Sequence, residues 1–273
     1  MNASSRPDEV GGPGSIAAGL AAVWTVAMFQ LRRLLTRPRL ALAVLGAAFP
    51  AAVMIAVNRA ARGRIDADLG VAMLYALIPE AVCMLGLLVT MCPAVADELE
   101  RGTWVHVAVR PGGRRALLLG SYVAAVIWTA AVAMAATGLA LPFVRVADPA
   151  RVCRILLALV AVSCVGRAAL FAVPAVILPK RALVASVGVA IVVEYLAGTI
   201  PAIVNQATVS LRLRSLLVSW MGWERKLPTE AQLFIDSQPA WVQLLAVAVL
   251  TVVLLTAAVM ILDRRQFPPS DEI

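Results

Sequence analysis

The fold is decided by runs such as Ala240-Trp-Val-Gln-Leu-Leu-Ala-Val-Ala-Val-Leu-Thr-Val-Val-Leu-Leu-Thr-Ala-Ala-Val-Met-Ile-Leu262, which contains no charged side chain. The hydrocarbon core of a bilayer is about 30 Å thick, so a helix of roughly 20 apolar residues crosses it. Lipid offers no partners to open backbone N–H and C=O groups, so such a run forms a helix. The stretch therefore predicts a membrane-spanning helix.

The composition extends this prediction to the whole chain. Hydrophobic residues make up 62% of the 273 residues and charged residues only 15%, a balance typical of membrane proteins rather than soluble ones. We predict an all-α membrane protein with six transmembrane helices preceded by an amphipathic interfacial helix. The six apolar runs are residues 40–57, 69–96, 116–144, 152–178, 182–204 and 240–262.

Residues 16–39 repeat apolar side chains at helical spacing and end in a cluster of arginines. The uninterrupted apolar part is short and is closed by Gln30, which favours a cytoplasmic interfacial helix, with an extra span as the alternative. The predicted organisation is a disordered tail over 1–15, the interfacial helix over 16–39, a six-helix membrane domain over 40–265 containing an intracellular helix at 97–110, and a tail over 266–273.

The basic residues are distributed in a way that indicates membrane anchoring and not nucleic-acid binding. The formal net charge is +8, but the arginines cluster at the ends of the predicted spans instead of forming one basic face. Cytoplasmic loops are enriched in Lys and Arg, and the modest bias here favours both termini on the cytoplasmic side.

Motifs for catalysis, metal binding and nucleotide binding are absent from the sequence. The cysteines (Cys83, Cys92, Cys153 and Cys164) show no C-x-x-C spacing, and His106 is the single histidine. Neither H-E-x-x-H, G-x-x-x-x-G-K-[ST] nor G-x-S-x-G occurs. We predict no catalytic residue, no metal and no cofactor in this chain, so any ATP must be bound by another polypeptide.

The stretch between the second and third spans contains the most distinctive polar sequence. Asp97 followed by Glu100 predicts an N-cap and capping-box pair at the start of a short amphipathic helix. Pro111-Gly112-Gly113 then predicts a tight turn, because proline presets φ and glycine accepts positive φ.

This stretch resembles the signature of ABC-2 type transporter permeases. The resemblance is carried by Glu98-x-Glu100-Arg101-Gly102-Thr103, Pro111, Arg114 and Leu117-Leu118-Leu119-Gly120. The stretch from Phe29 to Arg39 is also similar to the family's interfacial helix, and six spans match the family's topology.

The resemblance implies the transmembrane subunit of an ABC exporter in the cytoplasmic (inner) membrane of a bacterium. Its partners would be a separate ABC ATP-binding subunit that holds ATP and Mg, a second permease of the same or a sister chain, and membrane lipid. The substrate would be hydrophobic or amphiphilic: a drug, antibiotic, lipid or peptide. The residues expected to couple to the ATPase are Asp97, Glu98, Glu100, Arg101, Gly102, Thr103, Trp104 and Pro111.

Three charged residues lie well inside the predicted spans, away from their ends, where each costs about 2.5 to 3.5 kcal/mol on insertion scales. The short turn at residues 179–181 places Arg167 and Glu194 at one depth of a helical hairpin, roughly 20 Å from the turn, so the two are expected to pair. The pair would be either a structural ion pair or a substrate-facing polar site. Glu80, next to Pro79, is expected to be a separate case that faces a cavity or a partner.

Two other classes of function remain open on sequence alone. A membrane immunity or scaffold protein without an ATPase would show the spans but would not need an intracellular helix. An intramembrane acyl or prenyl transferase would need a polar cluster of His, Asp or Asn. The outer loop over 205–239 is the longest, and residues 209–223 are predicted as an amphipathic helix against the outer leaflet.

Overall fold

The computed structural model describes residues 13–62, 65–100, 109–110, 112–196, 208–225, 236 and 238–265. Within these ranges every regular element is a helix, and five helices are long and apolar enough to cross a membrane. They are Arg37–Ala60, Ala67–Glu100, Gly113–Phe143, Pro149–Ile177 and Ala240–Arg264. The chain is therefore a helical, multi-pass membrane protein, and these five helices coincide with five of the six predicted spans.

The α-helices are labelled in chain order. They are α1 Pro13–Leu34, α2 Arg37–Ala60, α3 Ala67–Tyr75, α4 Cys83–Met91, α5 Pro93–Glu100, α6 Gly113–Ala140, α7 Pro149–Ile177, α8 Ala182–Val189, α9 Val209–Met221 and α10 Ala240–Arg264. A first π-helix, Ala76–Val82, joins α3 to α4, and a second π-helix, Ala190–Leu196, continues α8. The span Ala67–Glu100 thus consists of α3, the first π-helix, α4 and α5.

The remaining predicted span, residues 182–204, is described only as far as Leu196. It consists there of α8 and the second π-helix, and residues 197–207 lie outside the described residues. Six spans therefore stay a prediction. The interfacial position of α1 also stays a prediction, although a helix is present over most of the residues assigned to it.

The predicted outer-leaflet position of residues 209–223 is wrong. The helix exists as α9, but it packs against α7 and α10, and Leu213 and Leu216 are fully buried. Its serines gave the segment an amphipathic sequence, yet they bond within the protein: the Ser215 hydroxyl donates to the Leu211 carbonyl at 2.9 Å. A polar side chain that finds an internal partner does not require water, so the polar face was not a guide to exposure.

The ends of the helices define two faces of the bundle. One is the arginine-rich face, where Arg115 pairs with Asp263 at 2.8 Å and Arg265 donates to the Ile177 carbonyl. At the opposite face, Asn58 donates to the Phe143 carbonyl at 2.7 Å, and Trp223 Nε1 donates to Asp68 Oδ1 at 2.9 Å. Successive spans therefore run in alternating directions, as the sequence predicts.

The α7 helix is the centre of the bundle. Buried residues make up 67% of its most apolar stretch, against 11% for α2 and 17% for α10, so α2 and α10 lie at the periphery. Asp148 caps α7 by accepting from the Arg151 N–H at 3.0 Å, and Pro149 occupies the first turn, where its missing N–H costs nothing. This central helix positions the charged residue described below.

A glycine allows α1 to approach α6 closely. A methyl group placed on Gly120 would lie 2.6 Å from Val26 Cγ1 and 2.9 Å from the Val23 carbonyl oxygen. We expect Gly120→Ala to separate the two helices and cost about 1–3 kcal/mol, the usual range for overpacking. Gly138→Ala in the same helix is the matched control, because no described atom lies within 4 Å of that position. Equal thermal stability of the two variants would contradict this contact.

Candidate functional site

The first π-helix is built around Pro79. In a π turn an N–H bonds to the carbonyl five residues earlier, and here the Cys83 N–H bonds to the Ile78 carbonyl. The Pro79 carbonyl therefore lacks the donor that it would have in an α-helix. The Pro79 carbonyl accepts from Ser163 Oγ at 2.7 Å and from Arg167 Nη1 at 2.5 Å. Beside it, Glu80 accepts from the Tyr75 hydroxyl at 2.6 Å. The irregular turn therefore presents the Pro79 carbonyl and the Glu80 carboxylate to α7.

Arg167 on α7 occupies the middle of this arrangement and is fully buried, with 0% of its surface exposed. Its Nε and Nη2 atoms each lie 3.3 Å from Glu194 Oε2, and Nη2 also donates to Glu80 and, at 2.8 Å, to Ser210 Oγ. The predicted pair of Arg167 and Glu194 is thus present. Every nitrogen of the guanidinium has an acceptor, which is the condition for keeping a charge out of water.

The Glu194 carboxylate contacts the first residues of α9 as well as Arg167. Its carboxylate accepts from the Val209 N–H at 3.2 Å, from the Ser210 N–H at 3.0 Å and from Ser210 Oγ at 2.7 Å. The first N–H groups of a helix have no partner within it and carry a partial positive charge, so a carboxylate is stabilised there. Glu194 therefore attaches α9 to the second π-helix.

The structure corrects the expectation that Glu80 is a separate case. Glu80 pairs with Arg167, and its Oε2 lies 3.1 Å from Ser210 Oγ, so it shares one site with Glu194. The reason is that the first π-helix packs against α7 and brings Glu80 to Arg167, while α9 brings Ser210 to the same depth. We call Tyr75, Glu80, Ser163, Arg167, Glu194 and Ser210 the buried cluster.

The two carboxylates of the buried cluster differ in their exposure. The Glu194 side chain is 1% exposed, whereas the Glu80 side chain is 13% exposed. Arg214, half-buried and one helical turn after Ser210, is close enough to interact electrostatically with Glu80. With Arg214 included, two arginines face two carboxylates. The cluster as a whole thus approaches neutrality in a region where net charge is expensive.

At the arginine-rich face, Arg33 holds the end of α1 to α5. Its Nη1 lies 2.5 Å from Glu98 Oε1 and its Nη2 lies 3.1 Å from Asp97 Oδ2. Arg39 at the start of α2 is 3.5 Å from the same Asp97 oxygen, and Gln30 donates to Glu98 at 3.5 Å. Glu98 is only 5% exposed. This junction connects α1 and α2 to the final turn of the second span.

The predicted N-cap role of Asp97 is wrong. The helix begins at Pro93, so Asp97 lies inside α5 and its carboxylate pairs with arginines instead of capping N–H groups. Glu100 is exposed and lines a notch beside Lys180 and Arg181. The other predicted coupling residues lie outside the described residues: Arg101, Gly102, Thr103, Trp104 and Pro111. The tight turn is described at Gly112, whose φ is +71°.

Sequence reasoning missed the uncharged members of the cluster. Tyr75, Ser163 and Ser210 complete the hydrogen bonding, but serine and tyrosine are ordinary residues in apolar helices and give no signal alone. One usable signal existed for Ser163, which lies four residues before Arg167 and so shares its helix face.

The fold and this site together define a multi-pass helical membrane protein with a charged cluster buried between its helices. In the described part of the chain, no group of three His, Cys, Asp or Glu side chains is placed to hold a metal ion. No family model matches the chain, and no curated protein matches it.

Proposed function

We propose that the chain is the permease subunit of an ABC-2 type exporter. It would work with a separate ATP-binding subunit that carries ATP and Mg and with a second permease, and it would move a hydrophobic or amphiphilic substrate such as a drug, antibiotic, lipid or peptide. The proposal is supported by the resemblance of the stretch from Glu98 to Gly120 and by a multi-pass helical fold. The chain itself would not be an enzyme.

The observation that carries the proposal is the continuity of the second span. Ala67–Glu100 runs from the opposite face to the junction at the arginine-rich face, and its last four residues are the first four of the predicted coupling helix at 97–110. Glu98 and Glu80 are 18 positions apart on it, or about 27 Å at 1.5 Å per residue. A displacement of the coupling helix would therefore be transmitted to the buried cluster along this single helical span.

The first π-helix gives this span a place where its backbone can change conformation. π-Helical turns are rare and occur often at functional sites. Glu80 and Glu194 both lie in π-helices, and both contact Arg167. In the proposed mechanism, movement of Glu80 alters its contact with Arg167 and Ser210, and α9 moves with it.

The proposal places the arginine-rich face in the cytoplasm, with both termini on that side. Lys and Arg are enriched in cytoplasmic loops, and this face carries the arginines at the end of α1, the start of α2 and the start of α6. The coupling segment then faces the compartment that contains ATP. A bacterial cytoplasmic membrane is the location that follows.

Co-purification with a candidate ATPase tests the proposal. The gene beside this one is expected to encode a protein with a G-x-x-x-x-G-K-[ST] loop, and a tagged form of this chain should retain that protein in detergent. An unrelated ATPase of the same class is the control for non-specific binding. If the neighbouring ATPase is retained no better than the control, the chain acts without it, as a membrane immunity or scaffold protein would.

A further inference from the structure

An apolar groove runs along the periphery of the bundle between α2, α4 and α6. Its volume is about 460 Å³, within the range of ligand sites. The walls are formed by Leu42, Gly46, Phe49, Leu85, Val89 and Val132. Several of these side chains are strongly exposed, including Leu85 at 61%. In a membrane such a groove contacts lipid, because peripheral apolar surface has no other neighbour in a single chain.

We propose that this groove binds one acyl chain of an anionic glycerophospholipid, with the lipid's phosphate at Arg39. Arg39 lines the groove at the arginine-rich face, and Phe49 lies toward its other end. Nothing in this inference depends on ATP or on export, so it goes beyond the proposed function. It assigns the chain a specific lipid ligand.

The length of the groove fits one leaflet. Arg39 and Phe49 are ten positions apart on α2, which corresponds to about 15 Å along the helix. Half of a hydrocarbon core of about 30 Å is also about 15 Å. A phospholipid whose phosphate lies at Arg39 therefore extends its acyl chain to the level of Phe49, close to the midplane.

The charge at the mouth of the groove selects an anionic headgroup. Within the described residues this corner holds the arginines of the α1–α2 turn and the two carboxylates of the junction: Arg32, Arg33, Arg37, Arg39, Asp97 and Glu98. Four arginines against two carboxylates leave an excess of two positive charges. Basic sites between membrane helices at the cytoplasmic side bind acidic lipids for this reason. A zwitterionic lipid has no net charge and is therefore attracted less strongly to this positive site.

Native mass spectrometry tests the proposal. The intact chain is released from nanodiscs of equal amounts of phosphatidylglycerol and phosphatidylcholine with the same acyl chains, and the retained lipid is counted. We expect one retained phosphatidylglycerol per chain, favoured about fivefold over phosphatidylcholine, as one arginine near a charged leaflet would give. Equal retention of the two lipids would overturn the choice of an anionic ligand.

Two variants locate the site. Gly46→Leu fills the groove, since even a Cβ there lies in ordinary contact with Val132 at 3.8 Å, and Ala48→Leu on the exposed opposite side of α2 is its control. Arg39→Gln removes the headgroup contact, and Arg264→Gln at the exposed end of α10 is its control. Gly46→Leu should abolish retention and Arg39→Gln should abolish the preference for phosphatidylglycerol, with both controls unchanged.

The same spectra report the competing occupant. If Gly46→Leu leaves lipid retention intact but converts a dimer to a monomer, a second copy of this chain occupies the groove and the lipid proposal is wrong. Wild-type retention in both groove variants would also contradict it. Circular dichroism spectra and thermal unfolding transitions like those of wild type establish that each variant is folded.

Discussion

We expect Arg167→Ala to reduce the amount of folded protein in membranes more than any other single substitution. The side chain is fully buried and bonds to Glu80, Glu194 and the Pro79 carbonyl. Its removal leaves two carboxylates without their common partner, and breaking a buried ion pair in this way costs about 3–5 kcal/mol. The level of folded protein can be measured by fluorescence-detected size exclusion in detergent.

Rescue by removing the carboxylates distinguishes this mechanism from a simple loss of packing. The double variant Arg167→Ala with Glu194→Ala should recover only part of the loss, since Glu80 remains unpaired. The triple variant Arg167→Met, Glu80→Gln and Glu194→Gln should recover more of it, because no carboxylate is then left unpaired and only the half-buried Arg214 keeps a charge. Additive losses across the series would mean that the three residues are not partners.

Substitutions at Glu100 and at Glu98, two positions before it, are expected to have different effects: the first on ATP hydrolysis and the second on thermal stability. Glu100 is exposed within the predicted coupling helix. If the chain is the proposed permease, Glu100→Lys should leave it folded and remove most of its stimulation of ATP hydrolysis by the proposed ATPase subunit. Glu98→Gln should instead lower thermal stability by about 1–3 kcal/mol, because it weakens the bonds to Arg33 and Gln30 in a nearly buried setting. Both effects are read from one purified complex, by ATP turnover and by thermal unfolding.

The two glutamates are matched controls for each other, since they lie two positions apart on one helix and differ in burial. A stable Glu98→Gln variant with wild-type unfolding would contradict the role of the junction. Wild-type ATP turnover in Glu100→Lys would exclude that residue from the proposed contact with the ATPase.

The sequence was a good guide to the fold where one physical effect dominates. The uncharged run at residues 240–262 must be helical in lipid, and the helix Ala240–Arg264 coincides with it. It was a poor guide where two effects compete. The Asp97 carboxylate suits an N-cap and an ion pair equally well. It forms ion pairs because Arg33 and Arg39, which are distant in sequence, lie beside it in the fold.

The buried cluster was only half accessible to sequence reasoning. A short hairpin turn fixes the relative depth of Arg167 and Glu194, so their pairing follows from helix geometry alone. The addition of Glu80 depends on how the first π-helix packs against α7, and the addition of Ser210 depends on how α9 packs against α7. Both packings are long-range information. Burial of α9 could not be inferred from its polar residues, because their hydrogen-bond partners are known only from the three-dimensional structure.

ATP hydrolysis by the neighbouring ATPase, measured in proteoliposomes with and without this chain, is the most direct test of the proposed function. If the chain is the permease of an ABC-2 exporter, its presence should raise the rate of ATP hydrolysis per ATPase subunit, and Gly102→Val should abolish the increase without preventing insertion of the chain. An ATPase rate that is the same with and without the wild-type chain would contradict the proposal.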